Sequence, residues 1–245
     1  MTILRARAHP EDEILARLTT RPAAPRGHTP FTPGVVPLGF GGDRDGLLFV
    51  PTVAVHDAPV PLVVCFHEGG RSARDLLPAL ETDAERAGVA LLVPDSRHRT
   101  WDRLVDGWGA DVTFVDVAID LVARRLPVDR ARLAMAGFSD GANYALSLAL
   151  ANGDLITHAI AFSPGHAILA QHVGAPRCFV THGTDDSVVP LAGSSRRLVP
   201  QLERLGCAVT YREFDGGHEL PPALVSEAFA WLRSSASSSP ATTPG

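Results

Sequence analysis

A doubly wound α/β domain is the fold this sequence predicts: a mostly parallel eight-stranded sheet opened by an antiparallel hairpin, with helices on both faces. Three observations point to it. Short β-rich runs alternate with helical stretches through residues 35–233. Several of those runs are apolar at successive positions, as strands covered on both faces must be. Between them, apolar residues recur at the spacing of one helical face. The material for a core is present, since 45% of the 245 residues are hydrophobic and 20% charged, which suits one globular domain and excludes collagen-like, disordered and coiled-coil chains.

Residues 1–34 are rich in proline and arginine, with a short helix expected around Glu11 to Leu18, and read as an arm lying on the domain. Val35 to Phe40 and Leu47 to Pro51 flank the glycine-rich stretch 41–46 and form the expected hairpin. Six further strands follow at Pro61–Phe66, Val89–Pro94, Ala131–Ala136, His158–Phe162, Arg177–Thr181 and Val209–Phe214. One helix is expected through Leu76, Leu77, Leu80, Ala84 and Ala87, and another through Val115, Ala118, Ile119, Val122 and Leu126. A third spans Ala142 to Ala151, a fourth carries Leu198, Leu202 and Leu205, and a fifth carries Leu224, Ala228 and Trp231. The stretch 234–245, rich in serine, threonine and proline, is low in complexity and expected to be a disordered tail.

Composition also narrows the function. With 22 basic against 27 acidic residues and scattered arginines, nucleic acid is not an expected partner. No stretch approaches the roughly 20 apolar residues of a membrane span. The amino-terminal residues lack the apolar core of a secretory leader, so a cytoplasmic location is expected. Cys65, Cys178 and Cys207 show no C-x-x-C spacing and read as small buried hydrophobes. The histidines show no metal-like spacing, so neither metal nor cofactor is expected.

In such sheets ligands collect at the carboxyl ends of strands. Gly137-Phe138-Ser139-Asp140-Gly141 lies at one of those ends, directly after a predicted strand and before a predicted helix. A strand turning that abruptly needs small neighbours so that backbones can approach, and the turn lifts the serine hydroxyl above the sheet. A serine hydroxyl is a poor nucleophile without a base, and the base needs an acid to fix it. Two later strands open into loops with those groups. One carries Asp185 and Asp186, of which Asp186 is favoured as the acid, and the other carries Gly216-Gly217-His218, which supplies the base. The two glycines are expected to give the His218 loop freedom to swing. A tetrahedral intermediate also needs donors for its oxyanion. The Asp140 N–H at the helix start is one, and the Gly69 N–H in His67-Glu68-Gly69-Gly70 is the other expected donor. His67 and His182 are expected to hold their loops by hydrogen bonds.

Together Phe66-His67-x-Gly69-Gly70, Gly137-x-Ser139-x-Gly141, His182-Gly183-x-x-Asp186-x-x-Val189-Pro190 and Gly217-His218 resemble the α/β-hydrolase superfamily. Within it the chain is most similar to the small, lidless phospholipase/carboxylesterase and polyhydroxybutyrate-depolymerase-like esterases. The resemblance implies an α/β-hydrolase fold without a cap domain, a serine carboxylesterase activity and Asp186 as the acid of the triad. A thioesterase or peptidase would use the same triad, and a catalytically idle hydrolase fold would serve instead as a ligand-binding protein. One position departs from the family, Glu68 standing where a glycine is usual, and its carboxylate is expected to face solvent or pair with Arg71 or Arg74. Only 14 residues, 163–176, separate two consecutive strands where capped relatives insert many more, so an open site is expected for a small or carrier-bound ester. Trp101 and Trp108, in and beyond the loop after Asp95, are expected to wall the substrate groove.

Overall fold

The computed structural model describes residues 3–5, 16–23, 31–55, 58–104 and 107–234. Ten strands run in chain order: β1 (Ile3–Arg5), β2 (Gly34–Pro37), β3 (Gly46–Val50), β4 (Val60–Phe66), β5 (Ala90–Pro94), β6 (Val128–Phe138), β7 (His158–Phe162), β8 (Ala167–Leu169), β9 (Arg177–Gly183) and β10 (Val209–Phe214). Six α-helices accompany them: α1 (Ala73–Leu76), α2 (Glu81–Ala87), α3 (Ala110–Ala123), α4 (Asp140–Ala151), α5 (Ser195–Arg204) and α6 (Pro222–Ser234).

Eight strands form one sheet in the order β10-β9-β7-β6-β4-β5-β3-β2. The six from β10 to β5 are parallel, and β3 runs antiparallel to both β5 and β2, as the hairpin reading expects. β4 shows why its sequence is apolar throughout. Leu62, Val64 and Phe66 face a core shared with α3, α4 and α5, while Val63 and Cys65 face a second core under α1, α2 and α6. A strand with a core on each side has no face left for polar residues. The three cysteines are free thiols buried in these cores.

Three local expectations change. The single helix expected through Leu76 and Ala87 is broken into α1, a 3₁₀ turn at Leu77–Ala79 and α2. Pro78 lacks the N–H that would continue α1, and its fixed φ favours the start of a new turn. Of the helix expected at Glu11 to Leu18, Glu11 to Leu15 lie outside the described residues, and residues 16–18 are not helical. They lie on α4 instead, with Leu18 N–H donating to Asn152 Oδ1 at 2.8 Å and Asn152 Nδ2 donating to Ala16 O at 2.8 Å. Finally, β1 and β8 form a separate two-stranded parallel sheet. Three residues each are too few to show a strand period in sequence. The expected tail beyond Ser234 lies outside the described residues.

Candidate active site

Parallel strands deliver their following loops to one edge, and three of those loops meet there. Ser139 sits between β6 and α4 with φ 55° and ψ −119°, a conformation that L residues seldom adopt. Its N–H donates to Phe162 O at 3.0 Å, and its carbonyl accepts from Ala142 N–H and Asn143 N–H. The flanking glycines are required by space: a Cβ at Gly141 would drive into the Phe66 carbonyl, and one at Gly137 into the carbonyl of Gly141.

The loop after β10 brings His218 Nε2 to 2.8 Å from Ser139 Oγ. The loop after β9 brings Asp186 Oδ2 to 2.6 Å from His218 Nδ1. Asp186 has a fully buried side chain, whereas Asp185 is exposed. Burial pushes the Asp186 carboxyl up, but hydrogen bonds from Val189 N–H and His218 outweigh it, so the net shift is below the ordinary carboxylate range. Its other oxygen, Oδ1, accepts from Val188 N–H at 2.9 Å and Val189 N–H at 2.7 Å.

Of the glycines before His218, Gly216 is required by space, since a Cβ there would drive into Glu219 Oε1 and stand 2.8 Å from Phe214 Cε2, whereas a Cβ on Gly217 would meet nothing within 4 Å. Neither Gly216 nor Gly217 has a positive φ. Their carbonyls pack where a Cβ on Gly183 would stand, and Gly216 O accepts from Asp185 N–H at 2.9 Å. Thr184 N–H donates to Phe214 O at 2.9 Å. The acid loop and the histidine loop are thus bonded to each other.

His67-Glu68-Gly69-Gly70 follows β4, on the other side of Ser139. Gly70 N–H is engaged by Arg99 O at 2.7 Å. Gly69 lies against Asp140, so close that a Cβ there would be 2.5 Å from Asp140 Oδ2. The Glu68 carboxylate pairs with Arg71, Nε to Oε1 3.4 Å, one of the two partners expected for it. His67 and His182 do hold loops. His67 Nδ1–H donates to Glu68 O at 2.7 Å while Nε2 accepts from Ser96 N–H at 3.1 Å, a neutral tautomer consistent with the downward shift that burial causes.

The tryptophans do not wall a groove. Trp101 is fully buried, stacks on Tyr144 with ring centroids 5.0 Å apart, and donates Nε1–H to His67 O at 2.9 Å. Trp108 is buried beside the same tyrosine. A large aromatic with one polar atom gains more by filling the space under a loop than by standing at its rim. What reaches the rim from this loop is Thr100, whose hydroxyl donates to Asp140 Oδ2 at 3.0 Å. Beneath, Asp102 and Asp111 clasp each other's backbone: Asp111 N–H donates to Asp102 Oδ2 at 2.8 Å, and Asp102 N–H to Asp111 Oδ2 at 2.7 Å. Burial, and then the neighbouring Asp102 charge, push Asp111 up to about 6.

Sequence reasoning gave no role to Asn143, none to Thr100 beyond its place in the loop after Asp95, and none to His166 beyond excluding it as a metal ligand. Asn143 Oδ1 accepts from Gly165 N–H at 2.7 Å and His166 N–H at 3.0 Å, fixing the loop after β7. A polar side chain in an otherwise apolar helix, Asn143 one turn beyond Ser139, was the one available signal. Among the described residues no group of three potential metal ligands comes together, and no helix is long and apolar enough to cross a membrane.

Known proteins resemble the chain in sequence and in fold. Residues 112–235, just over half of the chain, match the phospholipase/carboxylesterase family. The crystal structure of esterase PE8 superposes with a TM-score of 0.59 at 25% identity, over 78% of this chain and 99% of that one. The Bacillus cereus carboxylesterase gives 0.59 at 21% identity over 78% and 94%. An S-formylglutathione hydrolase from Agrobacterium tumefaciens gives 0.61 at 17% identity over 81% and 93%, a likeness of fold. No functionally curated protein sequence matches the chain significantly. With its sheet order, its serine turn between β6 and α4 and more than half its length matching, the chain belongs to the phospholipase/carboxylesterase family of α/β-hydrolases and is a hydrolase that acts on esters.

Proposed function

We propose that the protein is a serine carboxylesterase in which Ser139 is the nucleophile, His218 the general base and Asp186 the acid that orients it. The observation that carries this reading is the unbroken relay from Asp186 Oδ2 through His218 to Ser139 Oγ, 2.6 Å and 2.8 Å long. His218 takes the hydroxyl proton as Ser139 Oγ attacks the ester carbonyl, and the new C–O bond puts negative charge on the carbonyl oxygen. The Asp140 N–H, at the positive end of α4, and the Gly69 N–H receive that charge. Collapse expels the alcohol, which leaves with the proton from His218. Water then repeats the cycle on the acyl-enzyme.

The Ser139 backbone strain supports the assignment, because strained non-glycine residues persist where surrounding structure holds them for use. The segment 163–176 carries the short β8 and no inserted helix, so it adds no cap domain, which suits short acyl esters or an ester on a bulky carrier. Ser139→Ala is expected to cut kcat on p-nitrophenyl esters by at least about 10⁴-fold and to end labelling by a fluorophosphonate. Full turnover by that variant would refute the mechanism. Matched oxyester, thioester and amide substrates compared by kcat/KM rank the leaving groups. Oxyester hydrolysis is expected to lead.

A further inference from the structure

The acid of the site is backed by a second imidazole. His182, in β9, is fully buried. Its Nε2 lies 2.7 Å from Val189 O and 3.3 Å from Asp186 Oδ2, and its Nδ1 lies 2.7 Å from Ser195 Oγ at the start of α5. Nε2 faces only acceptors, so it carries the proton, and Nδ1 is left to accept from the Ser195 hydroxyl. Burial lowers the His182 pKa against the opposing pull of Val189 O and Asp186, in keeping with that neutral form.

We propose that His182 is a positioning residue for the hydrolysis: by donating its one N–H to the Val189 carbonyl beside Asp186, it fixes the backbone that holds the acid and so the direction from which the acid meets His218. The proposal rests on the Ser139–His218–Asp186 reading. The geometry is that of a brace and not of a space-filler. The Val189 backbone is held on both sides, its N–H by Asp186 Oδ1 and its C=O by His182 Nε2. Rotating the imidazole would therefore move a ligand of the carboxylate as well as losing its own contact. Ser195 removes that rotation by occupying the far nitrogen. The acid's two oxygens accept from Val188 N–H, Val189 N–H and His218 Nδ1–H, with the His182 ring 3.3 Å from Oδ2.

Two substitutions separate bracing from bulk. His182→Gln can place an amide N–H near the site of Nε2, whereas His182→Leu fills space with no donor. His182→Leu is expected to lower kcat about 100-fold, the scale of a misdirected catalytic group, with KM within about 3-fold because no substrate contact is touched. His182→Gln is expected to recover kcat to within about 5-fold of the parent. Equal kcat for Gln and Leu, or Leu above Gln, would overturn the proposal and leave His182 a packing residue. Should the leucine variant not fold, His182→Asn replaces it, since its amide is too short to reach the Val189 carbonyl. Asn is then expected to be slow and Gln fast, and equal rates again overturn the brace. Ser139→Ala tests the underlying triad separately: activity surviving there sinks the mechanism itself, whatever the His182 variants show.

Discussion

Ser139 is held at φ 55° where its own backbone preference is unfavourable, and the loss is recovered by the turn around it. Glycine would occupy that conformation freely. Ser139→Gly is therefore expected to abolish turnover while raising unfolding stability by about 1 kcal/mol, readable as a shift in the urea midpoint. An unchanged or lower midpoint would show that the strain is not stored there. This residue was legible in sequence because sterics left no alternative: Gly137 and Gly141 leave no room for a Cβ, and the pattern of small residues around one serine records that directly. Trp101 was misread because a tryptophan in a strand-end loop looks the same in sequence whether its ring points up or down. Only Tyr144 and the His67 carbonyl, both distant in sequence, decide it.

The stretch from Asp95 to Asp102 acts as a frame for the proposed oxyanion loop. Ser96 N–H, Trp101 Nε1–H and the Arg99 carbonyl bond respectively to His67 Nε2, His67 O and Gly70 N–H. The Asp102–Asp111 clasp ties this frame to the start of α3. Trp101→Phe keeps much of the ring packing and deletes the donor, leaving a buried carbonyl with one bond fewer. It is expected to cost about 1–2 kcal/mol of stability and to lower kcat more than it changes KM, since the peptide carrying Gly69 loses part of its support. A change in KM alone would place the tryptophan in substrate binding after all. None of this frame was readable in advance, because each bond joins residues whose side chains or carbonyls carry no periodic signal. The strands and long helices were readable, for the opposite reason: β4 and α4 repeat one physical demand along consecutive residues.

For the whole molecule the two cores bury imidazoles as well as hydrocarbons, and this sets an acid limit. Burial lowers His67 and His182, and burial with the nearby charges of Arg177 and Arg132 lowers His158 to about 4. A histidine with a depressed folded pKa binds fewer protons folded than unfolded, so the stability it supports is intact above its ordinary 6.5 and is lost as pH falls toward 4. Asp111 has the opposite sign: raised from 3.8 to about 6, it takes up a proton more readily in the folded state and offsets part of that loss over the same window. The denaturation midpoint is expected to fall between about pH 6.5 and about pH 4, and Asp111→Asn is expected to steepen that fall whatever its baseline. A flat profile across the window would contradict the burial of these rings. The eight-strand count and hairpin were legible in sequence, but which histidines would be enclosed was not, since enclosure depends on neighbours supplied by other strands.

The pairing of Ile3–Arg5 with Ala167–Leu169 has a consequence for synthesis on the ribosome. Ile3–Arg5 has no partner until the strand that follows Ser163–His166 has been made, so it waits through the synthesis of β2 to β7 before it docks. Once docked, it moors the stretch trailing directly from the rim of the reaction centre. A bulky group attached beside Ile3 would pull on that mooring, and through it on the rim.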